Sequence, residues 1–554
     1  MATIFDRTSK STHTVENQPP PLRDYNLYES NKPLVEAVRR EGAAWFEPRL
    51  REIGAEGGGE PLDWGVQANE NPPVLKTHDR YGNRIDEIEF HPAWHRLMEL
   101  SIANGMHSLP WRDNRAGAHT ARAGMMLALS GVESGTGCPI SMTYAAVPAL
   151  RAQPDVAAEL EPYFTSLEYD PRLIPLAEKK GALCGMAMTE KQGGSDVRAN
   201  TTYATPIGSG GPGSAYEVTG HKWFCSAPMC DAFLVLGQTE PGISCFLMPR
   251  VLPDGSLNGF YIQRLKDKLG NRSNASSEVE FDAAWALLIG EEGRGVRTII
   301  EMVNHTRLDC VLGSAGLMRR AVAEAIHHCT HRAAFGKKLV DQPLMRNVLA
   351  DLSIESEAAT ITAMRLARAF DGSEHIQEER LLKRIATAVS KYWVCKSAVW
   401  HVGEALECLG GNGYVEESSM PRLYRETPLN SIWEGSGNVN CLDVLRAMVR
   451  NPGSVDAFFA EIDTAPSDPR LQSYVATVKG SFTRPEELET RARVVVEQMA
   501  LAFQAALLLR HGDPFVADAF LRSRLGGEHG RALGTLPDGV EFEAIIDRHR
   551  PIPV

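Results

Sequence analysis

From Gly295 onward, apolar side chains recur at the period of an α-helix over long spans: Val296, Ile299, Ile300 and Val303 stand at i, i+3, i+4 and i+7. Met345, Val348, Leu349 and Leu352 repeat the pattern, as do Ile385, Ala388, Val389, Tyr392 and Trp393. Stripes of this kind are buried by packing helix on helix, so a bundle is expected over 290–450. It should end near Asn451-Pro452-Gly453, because proline and glycine disfavour helix continuation. A helical extension of about 100 residues, 451–554, follows.

Upstream the texture changes. Between Cys184 and about Ala284 short runs rich in Val, Phe, Tyr and Ile, such as Tyr216–Val218, Ala232–Leu236 and Ile243–Met248, predict antiparallel strands. Gly208–Ser214 and Pro253-Asp254-Gly255 supply turns, so a small β barrel or sandwich is expected over 184–289. Residues 1–183 combine helix-compatible segments with punctuation such as Asn71-Pro72-Pro73, which predicts an N-terminal helical domain. The fold class expected is multidomain α+β, in keeping with a length of 554 residues, too great for one core.

A hydrophobic share of 43% excludes a disordered chain, and a net charge of -12 excludes global attraction to polyanions. Ten cysteines without close pairs predict buried thiols and no disulfide. The first 24 residues are polar and contain Pro19-Pro20-Pro21, with no secretory pattern, and no uninterrupted apolar run approaches the roughly 18 residues of a membrane span. A cytoplasmic protein without membrane attachment is expected.

Three segments carry chemistry. Met188 to Asp196 holds Gly193-Gly194 between hydroxyl residues, where backbone amides can approach a ligand closely; a surface turn is the commoner use of such a string. In His221 to Ser226, alternation puts Phe224 and Ser226 on one side of a strand, an aromatic plate beside a hydroxyl, although paired aromatics in strands usually serve the core. Asn430 to Asn438 places Glu434 between Trp433 and Gly435; burial there would raise its pKa and make it a stronger base.

Together and in this order, the three segments resemble the acyl-CoA dehydrogenase flavoproteins over about Gly185 to Arg446. Arg332-Ala333-Ala334-Phe335-Gly336 with Gln342 is similar to the family's segment that reaches the flavin of a neighbouring subunit. The strings Met188–Asp196, Lys266–Ala275 and Ser431–Asn438, with the C-terminal extension, resemble the branch of the family tied to the adaptive response to DNA alkylation.

The resemblance implies the acyl-CoA dehydrogenase fold, with an N-terminal helical domain, a middle antiparallel β domain and a helical bundle, plus the extension. It implies bound FAD, a homotetramer, and weak dehydrogenation of short branched acyl-CoA thioesters. Met188, Thr189, Gly194 and Ser195 would line one part of the flavin, and Phe224 and Ser226 another. Ser436 and Asn438 would meet the dinucleotide portion, and Arg332, Phe335 and Gln342 would reach across the subunit contact. Glu434 stands at the catalytic base, with Arg307 holding the carboxylate or stabilising charge. Trp433 replaces a smaller tyrosine and should narrow the cavity, and Lys191-Gln192 replaces a proline-containing turn.

The resemblance further implies contact with double-stranded DNA at Arg446, with Arg450 four residues on and on the same helical face. A salt bridge from Arg446 to Asp443 is the competing use. From Asn440 to the end there are 13 Lys plus Arg against 16 Asp plus Glu, so a basic face requires the acids to segregate. The alternative is an ordinary metabolic acyl-CoA dehydrogenase with no DNA role. His327, His328 and His331 around Cys329 have partial zinc-ligand spacing but no carboxylate at motif distance, so no metal site is expected.

Overall fold

The structure is a computed structural model and describes residues 13–554. Residues 1–12, the start of the expected N-terminal domain and of the polar N-terminal stretch, lie outside the described residues.

The N-terminal part is built of helices, among them α1 (Ala118–Leu129) and α2 (Gly137–Leu150), both almost wholly buried. It also contains a hairpin, Val74–His78 paired with Arg84–Glu89, that the sequence pattern did not announce. Its strands are polar and mostly half exposed, so they lack an alternating apolar face; the turn is held by Asp79, which accepts from the amides of Tyr81 and Asn83.

Seven strands form the middle sheet: β1 (Cys184–Ala187), β2 (Tyr203–Pro206), β3 (Ala215–Ser226), β4 (Ala232–Thr239), β5 (Gly242–Pro249), β6 (Phe260–Leu265) and β7 (Ser276–Leu288). The order is β1-β4-β2-β3-β7-β5, with β6 beside β7, and a β4–β5 pairing closes the ring. The expectation of a purely antiparallel sheet needs one correction: β4 runs parallel to β1 along its length and to β2 at one bridge. The crossover a parallel pair requires is supplied by β2 and β3, which lie between β1 and β4 in sequence. Paired on both edges, β4 buries Ala232 to Gly237 without interruption, which is why its sequence is a continuous apolar run.

Helices α3 (Gly295–His331), α4 (Pro343–Gly372) and α5 (Gln377–Glu407) pack on one another along the expected stripes. Two shorter helices, α6 (Met420–Asn430) and α7 (Gly437–Arg450), lie against them, and the loop between these two carries Glu434. The bundle is interrupted at Asn451-Pro452, and a new helix starts at Gly453.

In the extension, α8 (Leu488–His511) packs against α4, α5 and α7. With the preceding turn it is long and apolar enough to cross a bilayer, which the run-length reading did not anticipate, but most of it is buried inside the protein. Buried ion pairs fix the extension to the bundle: Arg524 reaches Asp351 and, at 2.8 Å, Glu355, and Arg548 reaches Glu357 at 2.9 Å. All ten cysteines are buried and unpaired.

Candidate active site

A cavity of about 630 Å³ opens where the N-terminal helices, the sheet and the bundle meet. Glu434 lies on its wall in a loop whose backbone is forced out of the helical path, with φ of 58° at Glu434 and 101° at Gly435. A left-handed non-glycine residue costs about 1–2 kcal/mol, so the surroundings must hold it. Lys391 of α5, fully buried, donates to the carbonyls of Trp433 and Gly435, each at 2.7 Å. Asn440 donates to the Gly435 carbonyl at 2.6 Å, and Arg307 of α3 donates its Nε to the Glu434 carbonyl at 2.9 Å. Three successive carbonyls are thus clamped by side chains from three helices.

Arg307 holds Glu434 through its backbone: Nε donates to the Glu434 carbonyl and Nη1 to Asp443 at 2.8 Å. Its charge still acts on the carboxyl through space. Burial pushes the Glu434 carboxyl above the ordinary range, while the Thr306 hydroxyl and the cations of Lys391 and Arg307 pull it part of the way back. Its Oε2 has no hydrogen-bond partner, although it is shielded from water. A desolvated carboxylate atom on a cavity wall, with its backbone fixed, is a base available to a ligand.

The opposing wall comes from the sheet. Met188, Thr189, Gly194 and Ser195 border the cavity, as do Phe224 and Ser226 on β3. Phe224 is half exposed, and Lys266 Nζ lies 4.6 Å from its ring centroid. The glycine-containing loop is anchored by a fully buried ion pair, Glu190 to Lys222, at 2.9 Å. Glu190 also accepts from the amides of Thr201 and Thr202 and from Gln192. Burial alone would raise the Glu190 carboxyl, but Lys222 and these donors hold it well below the usual carboxylate range. Gln192 thus closes the loop from within.

Ser436 and Arg446 also reach the cavity; Asn438, exposed in the first turn of α7, and Arg450 do not. Arg332, Phe335 and Gln342 lie beyond the far end of α3, where 25 residues of helix at 1.5 Å per residue separate Arg332 from Arg307 by about 37 Å. Phe335 is fully exposed with φ of 52°. In the histidine cluster, His327 Nε2 meets the Pro20 carbonyl and His331 Nδ1 the His327 carbonyl, each at 2.8 Å.

Trp433 lines the cavity and donates its indole N–H to Asn430 Oδ1 at 3.1 Å. Lys391 and Asn440 were not singled out from the sequence, and Asp443 was considered only as a partner for Arg446. A lysine on the buried face of the Ile385–Tyr392 stripe was the available signal for Lys391.

Three stretches of the chain match known protein families. Residues 17–171 match the family described as adaptive response protein AidB N-terminal domain. Residues 185–284 match the acyl-CoA dehydrogenase middle domain and 293–449 the acyl-CoA dehydrogenase C-terminal domain. The chain is 46% identical to AidB of Escherichia coli (strain K12) over 529 residues, 94% of this chain and 96% of that one. It is 31% identical to acyl-CoA dehydrogenase family member 11 of Caenorhabditis elegans, over 81% of this chain and 77% of the other. Among solved structures, that of Caenorhabditis elegans ACDH-11 in complex with C11-CoA superposes with a TM-score of 0.82 at 27% identity, covering 93% of each chain. The acyl-CoA dehydrogenase of Bacillus anthracis complexed with FAD shares the fold, with a TM-score of 0.62 at 18% identity over 78% of this chain and 81% of that one.

Proposed function

The chain belongs to the acyl-CoA dehydrogenase family as an AidB-like member, an oxidoreductase acting on CH–CH groups, and on that premise we propose that it binds FAD and slowly dehydrogenates short branched acyl-CoA thioesters. The observation that carries the reading is the unpartnered, water-shielded Oε2 of Glu434 on the wall of a cavity large enough for a ligand.

The cavity suits the flavin. The exposed ring of Phe224 offers a stacking surface, Thr189, Ser195 and Ser226 offer hydroxyls, and Gly193, with open space around its Cα, lets the backbone approach a planar group. Ser436 caps the N-terminus of α7 without a side-chain cap bond, so that end of the helix has amides and a dipole available to a phosphate, with Asn438 in the same turn. When bound, FAD supplies the acceptor for the hydride that leaves the β carbon. Glu434 takes the proton from the α carbon of the thioester; Lys391, Arg307 and Asn440 keep its backbone in place while it does so. Arg332, Phe335 and Gln342, too far to serve their own cavity, fit a homotetramer in which each serves a neighbour's. Ten buried free thiols suit a reducing cytoplasm.

Because Glu434 is raised by burial, its basic form is populated only as pH climbs past a value above the ordinary 4.5. Bleaching of the flavin band by isovaleryl-CoA should therefore rise with pH along a limb shifted upward from that of a free carboxylate. A colourless protein that takes up no FAD, or bleaching independent of pH through the acid range, contradicts the reading.

A second reading, sequence-independent contact with double-stranded DNA linked to protection from alkylation damage, rests on Arg446 and Arg450. Arg446 stands half exposed at the cavity border with only a 3.4 Å bond to Asp443, which is already held by Arg307 and Arg384. Arg450, one turn on, makes no salt bridge among the described residues. Elsewhere in the extension the acids do not segregate: Arg470, Arg522, Arg524, Arg548 and Arg550 each pair with carboxylates. The contact is accordingly small. A gel shift with unrelated duplexes should weaken by about tenfold in Arg446→Ala/Arg450→Ala and fade with salt; binding unchanged by the double substitution removes this reading and leaves the metabolic alternative.

A further inference from the structure

Part of the cavity wall is polar in a way that Glu434 chemistry does not use. Along α3, Leu317 lines the cavity ten residues beyond Arg307, or about 15 Å, and Arg320 packs against Gly131, next to the Val132-Glu133 segment. There Glu133, Glu426 and Lys268 face the cavity together with Asn271. Glu133 and Glu426 are 6% and 5% exposed.

Both oxygens of Glu133 are engaged by protein, accepting from the Ser273 hydroxyl and, at 2.7 Å, from the Thr136 amide. Glu426 is not. Its Oε1 accepts from the Asn271 amide at 2.7 Å, while its Oε2 makes no hydrogen bond among the described residues. Lys268 donates to the Asn274 carbonyl at 2.6 Å and to Ser276 Oγ at 2.8 Å, which leaves one of its three protons unassigned. Burial, and then Glu133, push the Glu426 carboxyl up to about 7, and burial pulls Lys268 down to about 8, so both are short of partners.

We infer that this wall is a recognition subsite for a neutral group that both donates and accepts a hydrogen bond, a hydroxyl being the simplest, carried at the far end of the acyl chain. The inference rests on the acyl-thioester reading of the cavity. Charge excludes the other polar ends. Two carboxylates are matched by two cations, Lys268 and Arg422, the latter bonded to the Val132 carbonyl at 2.7 Å. An ammonium therefore finds no net negative charge to neutralise, and a terminal carboxylate finds no net positive charge. An alkyl end strips water from Glu426 Oε2 and Lys268 Nζ and returns no hydrogen bond, which is the arrangement by which polar sites reject apolar analogues.

The test is isothermal titration calorimetry of the flavin-containing protein, as purified, with matched pairs of acyl-CoA thioesters that differ only in a terminal hydroxyl, over a ladder of chain lengths. At the length that spans the cavity the hydroxylated member should bind about tenfold tighter or more. The preference should collapse in Glu426→Leu and also in Lys268→Met, two substitutions on different elements, so that misfolding of one does not remove the test. Equal or tighter binding of the alkyl member at every length overturns the inference while the dehydrogenase reading stands. A preference unchanged in both variants overturns it too. Failure of every thioester in both series to bind overturns the inference and the acyl-CoA reading together.

Discussion

Replacement of Glu434 by glutamine should slow flavin bleaching by an acyl-CoA thioester by about a hundred- to ten-thousand-fold, the range expected for loss of a positioned general base. The amide keeps the shape of the carboxyl and leaves the backbone clamps from Lys391, Arg307 and Asn440 untouched, since these hold carbonyls and not the side chain. Because burial already penalises the ionised carboxyl, removing its charge should cost little stability. The expected variant is therefore yellow, folded and nearly inert. Stopped-flow absorbance together with a thermal melt checks both halves, and a fully active variant would assign the proton to another group.

The largest effect on stability is expected from Lys222→Met. This lysine and Glu190 are both wholly buried, and Lys222 also donates to the Leu236 carbonyl at 2.8 Å. Removing it leaves an uncompensated carboxylate inside the sheet, at a cost of about 3–5 kcal/mol. Glu190 organises the chain from Gln192 to Thr202, so the glycine-containing loop that borders the cavity should lose its anchor, and flavin retention should fall with stability. Urea unfolding measures the first consequence and the ratio of flavin to protein absorbance the second. Adding Glu190→Gln should restore much of the loss, because the orphaned charge is then gone. A loss below about 1 kcal/mol in Lys222→Met would mean that the pair is solvated and does not organise the loop.

The bundle was legible because its stripes repeat at helical spacing over three elements, and the strands because their apolar runs are short and bounded by turns. The hairpin at Val74–Glu89 was not, since its stability comes from a side-chain-bonded turn and not from an apolar face. The parallel pairing of β1 with β4 joins segments more than forty residues apart and leaves no mark in either run. At the site, Glu434 could be found because its immediate neighbours, Trp433 and Gly435, pointed to a desolvated carboxylate and because the segment resembles the family's. Its clamps could not, because Arg307, Lys391 and Asn440 arrive from three different helices. Glu133, Lys268 and Glu426 are a stronger case: each looks like an ordinary charged residue in sequence, and only burial against a common cavity makes them a group. The extension shows the reverse limit. Its slightly acidic balance left room for a basic face only if the acids segregated, but pairing decides what an arginine is free to do, and most of its arginines are already engaged.

The central claim is that the Glu434 carboxylate removes a proton from the α carbon of a thioester bound in this cavity. Incubation of the protein with an acyl-CoA in heavy water, followed by NMR of the recovered thioester, reads that step without reference to electron transfer. Deuterium should enter the α position with the native chain and fail to enter with Glu434→Gln; entry at the same rate in both would contradict the claim.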